Sequence, residues 1–160
     1  MSEQVLQSIR KMLDERSVKY REVHHEQTFT SKQSAAARGE SIRIGGKALL
    51  LKVGDEFKLF VLSAALKLDS SAIRKHFSVR TSRFANKEEL AERTGLVPGC
   101  VPPFGEPILP FKLYVDESIA RNERIAFNAG SLTDSIILST EDYVAIAQPE
   151  IFCFSSPAEE

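Results

Sequence analysis

Residues 95–105 (GLVPGCVPPFG) contain three glycines and three prolines in eleven positions. Proline fixes φ at about −65° and has no N–H, so neither a helix interior nor a central strand can pass through this segment. Glycine allows backbone angles and close approaches that side chains forbid. A flexible linker would be polar and rich in serine, whereas this segment is apolar. The pattern predicts a rigid loop, which either connects two elements or presents its backbone to a ligand.

The length of 160 residues and the apolar content of 42% are typical of one globular domain with its own core. We expect a single domain over residues 1–160, with 155–160 as a frayed tail. No run approaches the roughly 18 apolar residues of a membrane span, and the first residues lack the features of a signal peptide. The histidines and cysteines have no zinc-ligand spacing. We therefore expect a cytoplasmic protein that needs no metal ion or cofactor and does not associate with membranes.

Hydrophobic periodicity and turn residues predict alternating helices and hairpins. Helices are expected after Ser2 as N-cap and over 32–38, 71–77, 87–94 and 140–147. Strands are expected over 18–23, 79–82, 108–116 and 151–154. Two hairpins are expected, one turning at Gly54-Asp55 and one over 124–138. This order predicts a mixed or mainly antiparallel sheet rather than a doubly wound parallel fold.

Charge is unevenly distributed along a chain whose net charge is −1. Residues 43–93 carry eleven Lys or Arg against six Asp or Glu, whereas residues 94–160 carry three against ten. A basic segment can meet the phosphates of a nucleic acid locally. Solvated surface charge explains the same pattern equally well, so charge alone leaves the partner open.

No complete nucleophile set is evident in the sequence. Cys100 lies in the rigid loop, but a reactive thiol needs a basic neighbour that lowers its pKa. Gly45-Gly46-Lys47 resembles part of a phosphate-binding loop, although the other glycine and the hydroxyl residue after the lysine are missing. The better candidates are Lys47, which can bind a phosphate or carboxyl oxygen, and the loop amides, which can stabilise charge that develops on an ester carbonyl.

Three segments together resemble the YbaK family: Gly45-Gly46-Lys47 before an apolar strand, the loop from Gly99 to Gly105, and Phe127-Asn128-Ala129-Gly130-Ser131. This family is related to the editing domain of bacterial prolyl-tRNA synthetases, and its free-standing members hydrolyse mischarged aminoacyl-tRNAs in trans. The resemblance covers nearly the whole chain. It implies an α/β fold of the α+β type, with a mixed, largely antiparallel, barrel-like sheet surrounded by short helices.

The resemblance also implies a site without a metal ion or cofactor. By this resemblance, Lys47 would lie near the phosphate of the terminal adenosine of the tRNA and near the ester, and the backbone of the loop would bind the aminoacyl carbonyl. The catalytic set is Lys47, Gly99, Cys100, Val101, Pro102 and Pro103, and the substrate contacts are Thr28, Thr30, Gly46, Phe104, Gly105, Asn128, Gly130 and Ser131. Water or the ribose 2′-hydroxyl of the tRNA would attack the ester. The implied partners are the acceptor end of aminoacyl-tRNA and a synthetase, with the protein as a monomer or homodimer.

Two departures from the family leave the edited amino acid open among Ala, Ser, Thr and Cys. Alanine-clearing members have asparagine where this chain has Ala48, and cysteine-clearing members have a Gly-Gly-x-Ser-Pro type of loop instead of Gly-Cys-Val-Pro-Pro. A pocket separates side chains that differ by one methylene by only about 1–3 kcal/mol. Two other functions remain: a non-catalytic module of this fold that binds tRNA or a synthetase, and a small-molecule hydrolase that uses Cys100.

Overall fold

The computed structural model describes residues 2–158, which form six helices and ten strands. The helices are α1 (Ser2–Glu15), α2 (Ser31–Arg38), α3 (Ser70–Phe77), α4 (Lys87–Thr94), α5 (Glu117–Ala120) and α6 (Thr140–Ala147). The strands are β1 (Tyr20–His24), β2 (Gly46–Val53), β3 (Glu56–Ser63), β4 (Leu66–Leu68), β5 (Ser82–Phe84), β6 (Leu113–Asp116), β7 (Arg124–Asn128), β8 (Asp134–Ser139), β9 (Glu150–Phe152) and β10 (Ser155–Pro157). A 3-10 turn, Ile42–Ile44, precedes β2.

The strands form three sheets, with orders β5-β2-β3-β6-β9, β1-β8-β7 and β10-β4. The pairs β3–β6 and β6–β9 are parallel, and the other pairs are antiparallel. The predicted mixed, largely antiparallel α/β fold is confirmed. The barrel-like description is wrong, since no sheet closes on itself within residues 2–158. Gly45, the residue before β2, forms an isolated parallel bridge with Ala126 of β7 instead of a continuous ladder.

The β2–β3 hairpin is the centre of the largest sheet and confirms the predicted turn at Gly54-Asp55. Its register places Val53 opposite Glu56, and Gly54 adopts the positive φ that a tight hairpin turn requires (60°). From Lys58 onwards strand β3 is buried on both faces. Successive side chains of a strand point to opposite sides, and each side of β3 packs in a different core. Leu59 packs in a core that includes α1, whereas Phe60 packs in a second core with α3.

Several predicted boundaries are corrected by the structure. Ser2 is the first residue of α1 rather than its N-cap. The strand predicted over 79–82 lies at Ser82–Phe84, and the one over 108–116 is reduced to Leu113–Asp116. The shorter strand has a local cause, because the Gly105 carbonyl accepts hydrogen bonds from the N–H groups of Ile108 and Leu109 and turns the chain there. The short helix α5 was not predicted.

The prediction of a frayed tail is wrong for Ser155–Pro157, which pair with β4 as strand β10. The cause is a fully buried carboxylate, Asp116, at the end of β6. Asp116 accepts hydrogen bonds from the backbone N–H of Phe154 (2.6 Å), the hydroxyl of Ser155 (2.7 Å) and the N–H of Ser118 (3.0 Å). This carboxylate attaches the C-terminal strand to the central sheet. Residues 159–160 of the predicted tail lie outside the described residues.

Candidate active site

A cavity of about 230 Å³ opens where the two larger sheets meet. It is bounded by the start of β2, by α2 and the segment before it, by the rigid loop and by the end of β7. The predicted site residues that line it are Thr28, Thr30, Gly46, Lys47, Gly99, Val101 and Asn128. Phe29, whose side chain is 73% exposed, also lines the cavity. The sheets can approach this closely because Gly46 has no side chain: a Cβ there would lie 2.7 Å from Ile125.

Lys47 is a half-buried cation in the cavity wall. Its Nζ donates a hydrogen bond of 2.6 Å to the carbonyl oxygen of Leu66 on β4. Among residues 2–158 no carboxylate pairs with it, and burial lowers its pKa below the usual 10.5. An ammonium group has three donors, so after the bond to Leu66 two remain for a ligand oxygen.

The rigid loop begins with a tight turn over residues 97–100. Pro98 and Gly99 occupy the central positions, Gly99 has a φ of 90°, and the Cys100 N–H donates to the Val97 carbonyl (3.1 Å). Proline followed by a positive-φ glycine is typical of a type II turn. Because Cys100 uses its N–H in this turn, it has none to offer a substrate.

Two backbone N–H groups of the loop are both unpaired and placed at the cavity. Pro102 and Pro103 have no N–H. In the described part of the chain, the N–H groups of Gly99 and Val101 have no hydrogen-bond acceptor, and both residues line the cavity. Val101 is 7% exposed, and buried backbone donors without a partner are rare, whereas Gly99 is exposed to solvent. These two amides are therefore the loop groups that can bind a substrate oxygen.

The second half of the loop packs into the core instead of lining the cavity. The Tyr143 hydroxyl donates to the Pro103 carbonyl (2.6 Å), and the Phe104 ring meets the Tyr143 ring edge to face with centroids 5.4 Å apart. Pro102 is buried, and a Cβ at Gly105 would collide with the Phe111 carbonyl. These residues hold the loop in place and do not touch the cavity.

Cys100 also lies outside the cavity wall. Its side chain is buried in the main core, and burial raises the pKa of its thiol. The thiolate, which is the nucleophilic form, is therefore disfavoured at neutral pH. This environment argues against the cysteine hydrolase.

The turn between β7 and β8 holds the remaining predicted residues, Gly130 and Ser131. Gly130 has a φ of 78°, and the Ser131 hydroxyl donates to Asp134 (2.9 Å). Both lie outside the cavity wall, so their contribution is the shape of the turn beside Asn128.

Arg38 and Ser34, both on α2, are cavity residues that sequence reasoning missed. Arg38 is the last residue of α2 before the capping Gly39, where a cation would ordinarily be exposed and complement the helix dipole. Here it is 7% exposed and points inward. Nothing in the local pattern distinguishes a buried arginine from an exposed one at a helix end.

A network of hydrogen bonds connects Arg38 with the rigid loop. Its Nη2 donates to the Asn128 side-chain oxygen (3.0 Å), and its Nε donates to the Ser135 hydroxyl (2.9 Å). The Asn128 side-chain nitrogen donates to the Gly99 carbonyl (2.7 Å). Burial lowers the pKa of Arg38 to about 10, which leaves it protonated at neutral pH.

The sequence of this chain matches a known protein family. The family model described as "Aminoacyl-tRNA editing domain" matches residues 25–146. The chain belongs to the aminoacyl-tRNA editing domain family. The matched range contains every predicted site residue.

One relative supports this membership, and one solved structure shares the fold. The "Multifunctional Ser/Thr-tRNA deacylase ProXp-y" of Escherichia coli (strain K12) is 36% identical over 153 residues, which covers 92% of this chain and 90% of that protein. A crystal structure of a protein proposed to be a trans-editing enzyme for prolyl tRNA synthetase shares the fold, with a TM-score of 0.80 at 22% identity. That match covers 95% of this chain and 97% of the other.

Within 2–158, no group of three or more His, Cys, Asp or Glu side chains could hold a metal ion. No helix there is long and apolar enough to cross a membrane.

Proposed function

We propose that this chain is a trans-editing deacylase that hydrolyses the ester between a small amino acid, such as serine or threonine, and the 3′-terminal adenosine of tRNA. The observation that carries the proposal is one cavity wall that combines the half-buried Lys47 ammonium with the unpaired N–H groups of Gly99 and Val101. Membership in the editing family supports the substrate class. The ProXp-y deacylase supports the choice of serine and threonine.

In this proposal the aminoacyl carbonyl points at the two free amides of the loop. Water or the ribose 2′-hydroxyl attacks the carbonyl carbon, and the C=O bond becomes a C–O⁻ single bond of a tetrahedral intermediate. Fixed N–H donors stabilise this developing charge without reorganisation during the reaction. The ester C–O bond then breaks and the ribose oxygen takes up a proton. With water as the nucleophile, the attacking water supplies the proton that the ribose oxygen takes up, and the products are free amino acid and tRNA. Attack by the 2′-hydroxyl instead moves the acyl group to the 2′-oxygen, and a water molecule must then cleave the new ester.

Lys47 supplies positive charge rather than a proton acceptor. Burial lowers its pKa, and the hydrogen bond that its Nζ donates to the Leu66 carbonyl holds the group in the cavity wall. An ammonium acts as a compact point charge towards a phosphate or ester oxygen. We therefore assign it to the nucleotide end of the substrate, beside the reacting ester.

The size of the cavity supports a small aminoacyl group. Its volume of about 230 Å³ is below the roughly 300–1,000 Å³ typical of pockets for drug-sized ligands. A single small side chain with its carbonyl fits this space, while the adenosine and the rest of the tRNA stay outside.

A pair of buried hydroxyls supports hydroxylated substrates in particular. The hydroxyl oxygens of Thr28 and Ser34 lie 2.9 Å apart in the cavity wall, and either can be the donor. Because both hydroxyls rotate, the pair can offer a donor or an acceptor to a substrate hydroxyl. Thr28→Val together with Ser34→Ala should lower hydrolysis of Ser-tRNA and Thr-tRNA more than that of Ala-tRNA.

The test is a deacylation panel. Purified protein is incubated with tRNAs that carry Ala, Ser, Thr, Cys or Pro, and release of the labelled amino acid is followed. Faster hydrolysis of Ser-tRNA or Thr-tRNA than in buffer supports the proposal. Hydrolysis no faster than in buffer across the whole panel rejects it, and tRNA binding without turnover would identify the non-catalytic module.

The setting of the reaction follows from the same proposal. We expect the protein to act in the cytoplasm, where aminoacyl-tRNA is made and used, as a monomer or homodimer. Analytical ultracentrifugation determines the oligomeric state. Adding the cognate synthetase to the deacylation assay tests whether a synthetase partner increases the rate.

A further inference from the structure

We propose that Arg38 is a positioning residue for the deacylation reaction, which acts through Asn128 to hold the rigid loop in its substrate-binding geometry. This inference rests on the proposed function. It gives a role to a buried cation that has no direct place in the ester chemistry described above.

The first step concerns the environment of Arg38. A buried charge ordinarily has a carboxylate partner or loses its charge. In residues 2–158 no carboxylate pairs with Arg38, and its side-chain hydrogen bonds go to two neutral oxygens, those of Asn128 and Ser135. An apolar side chain would fill this place without the desolvation penalty. The guanidinium is therefore held here for its donors.

The second step concerns the orientation of the Asn128 amide. Arginine has only donors, so the atom of Asn128 that faces it must be the carbonyl oxygen. A flipped amide would set N–H against N–H. Arg38 thereby directs the Asn128 nitrogen to the opposite side, where it donates to the Gly99 carbonyl at 2.7 Å.

The third step leads to the loop. The peptide unit between Gly99 and Cys100 is planar and is held at both edges. Its carbonyl accepts from Asn128, and its N–H donates to Val97. Fixing this plane fixes the chain direction on both sides of it, and so the free N–H groups of Gly99 and Val101. A shift of 1 Å in such donors can cost about 100-fold in rate.

Asn128→Asp separates this role from simple structural support. The carboxylate has nearly the same shape as the amide and gains a charged partner in Arg38, so the variant should melt no more than a few degrees below the original protein. The same carboxylate presents an acceptor to the Gly99 carbonyl and repels it. We expect kcat to fall about 100-fold while KM changes less than about threefold, since ground-state binding contacts remain.

Arg38→Lys tests the other end of the network. Lysine keeps the charge but lacks the planar fork that reaches two acceptors, so it should reproduce most of the loss in kcat. In the variant that combines Asn128→Asp with Arg38→Lys, the two losses in kcat should not add, because both substitutions interrupt the same hydrogen-bond network. Arg124→Lys is the matched control. Arg124 is an exposed arginine on β7, the strand that also carries Asn128, and it pairs with Glu40. The rate of this variant should stay within about twofold of the original, since exposed ion pairs contribute little.

A measurement independent of activity completes the test. In the original protein the Asn128 side-chain NH₂ should be protected from hydrogen exchange, and Arg38→Lys should remove that protection and shift the Cys100 amide resonance. If the original protein is active and Asn128→Asp retains its kcat, or loses kcat only in proportion to its stability, the positioning role is wrong and the proposed function stands. If the original protein deacylates nothing, the proposed function itself fails.

Discussion

Replacing Lys47 by methionine tests the charge in the cavity wall with little change of shape. Methionine keeps an unbranched apolar stem of similar length and removes only the ammonium group. The loss consists of one charged hydrogen bond to the Leu66 carbonyl (2.6 Å) and of the positive charge offered to the substrate. The two losses affect different quantities, namely the free energy of unfolding and the rate.

The effect on stability should be small. A hydrogen bond from a charged donor contributes about 1.5–3 kcal/mol, but removing a half-buried ammonium also removes its desolvation penalty. We expect the free energy of unfolding to fall by no more than about 1 kcal/mol, within the range of ordinary substitutions. The rate should change far more, because removing one group that stabilises transition-state charge costs about 10²–10³-fold, or about 2.7–4 kcal/mol.

The assay is single-turnover deacylation of Ser-tRNA, with thermal melting measured on the same samples. Lys52→Met is the control, since Lys52 lies on the same strand outside the cavity wall and contacts Phe57. Hydrolysis by Lys47→Met at more than about a tenth of the original rate would refute the reasoning, because even one transition-state contact is worth more.

The pH dependence distinguishes charge from base catalysis by Lys47. Its pKa lies below 10.5 because of burial, and the ammonium form is the one that offers charge. The enzymatic rate, corrected for spontaneous hydrolysis, should therefore fall as the pH rises through the lowered pKa. A rate that rises there instead would mean that the neutral amine acts as a base.

Three further predictions concern residues around the site. Asp116→Ala leaves three donors without an acceptor, of which the Phe154 N–H is buried and the other two are partly buried. It should lower the free energy of unfolding by about 3 kcal/mol, measured by urea denaturation, and a loss below about 1 kcal/mol would contradict the role of Asp116 in attaching the C-terminal strand. Glu40→Gln should destabilise the protein at pH 7 by about 1 kcal/mol. Hydrogen bonds from Arg124 and Arg21 lower the Glu40 pKa below 4.5, so the melting-temperature difference should shrink as the pH falls through that lowered pKa, and a constant difference would refute this. Gly99→Ala should cost about 1–3 kcal/mol because of its positive φ and reduce kcat, and a fully active variant would show that the turn tolerates a side chain.

Local sequence patterns predicted the elements whose causes are themselves local. The Asn86 capping box with Glu89, the αL Gly39 after α2 and the Gly54 turn are all confirmed, since each depends on neighbours within a few residues. Local patterns did not predict elements that depend on a partner far away in the sequence. The C-terminal strand was missed because its pairing with β4 and its tie to Asp116 join residues far apart in the chain.

The candidate site shows the same division. Gly46, Lys47 and the Gly99–Val101 segment stand out in the sequence, because glycine, proline and a lysine at a strand start have strong local meanings. Which amides of the loop are free could not be read there, since that depends on the Cys100 N–H turning back to Val97 and on Tyr143 holding Pro103. The role of Arg38 was equally hidden, because its two side-chain partners, Asn128 and Ser135, lie 90 and 97 residues further along the chain.

The rigid segment 95–105 was therefore determined by the sequence as a loop with an unusual backbone, and its glycines and prolines required no tertiary information. Only the tertiary structure decided how it divides: Gly99 and Val101 line the cavity, whereas the residues from Pro102 to Gly105 pack into the core. The physical reason is that φ preferences and missing donors belong to single residues. A free N–H, a buried charge and a cavity wall exist only when strands from distant parts of the chain come together.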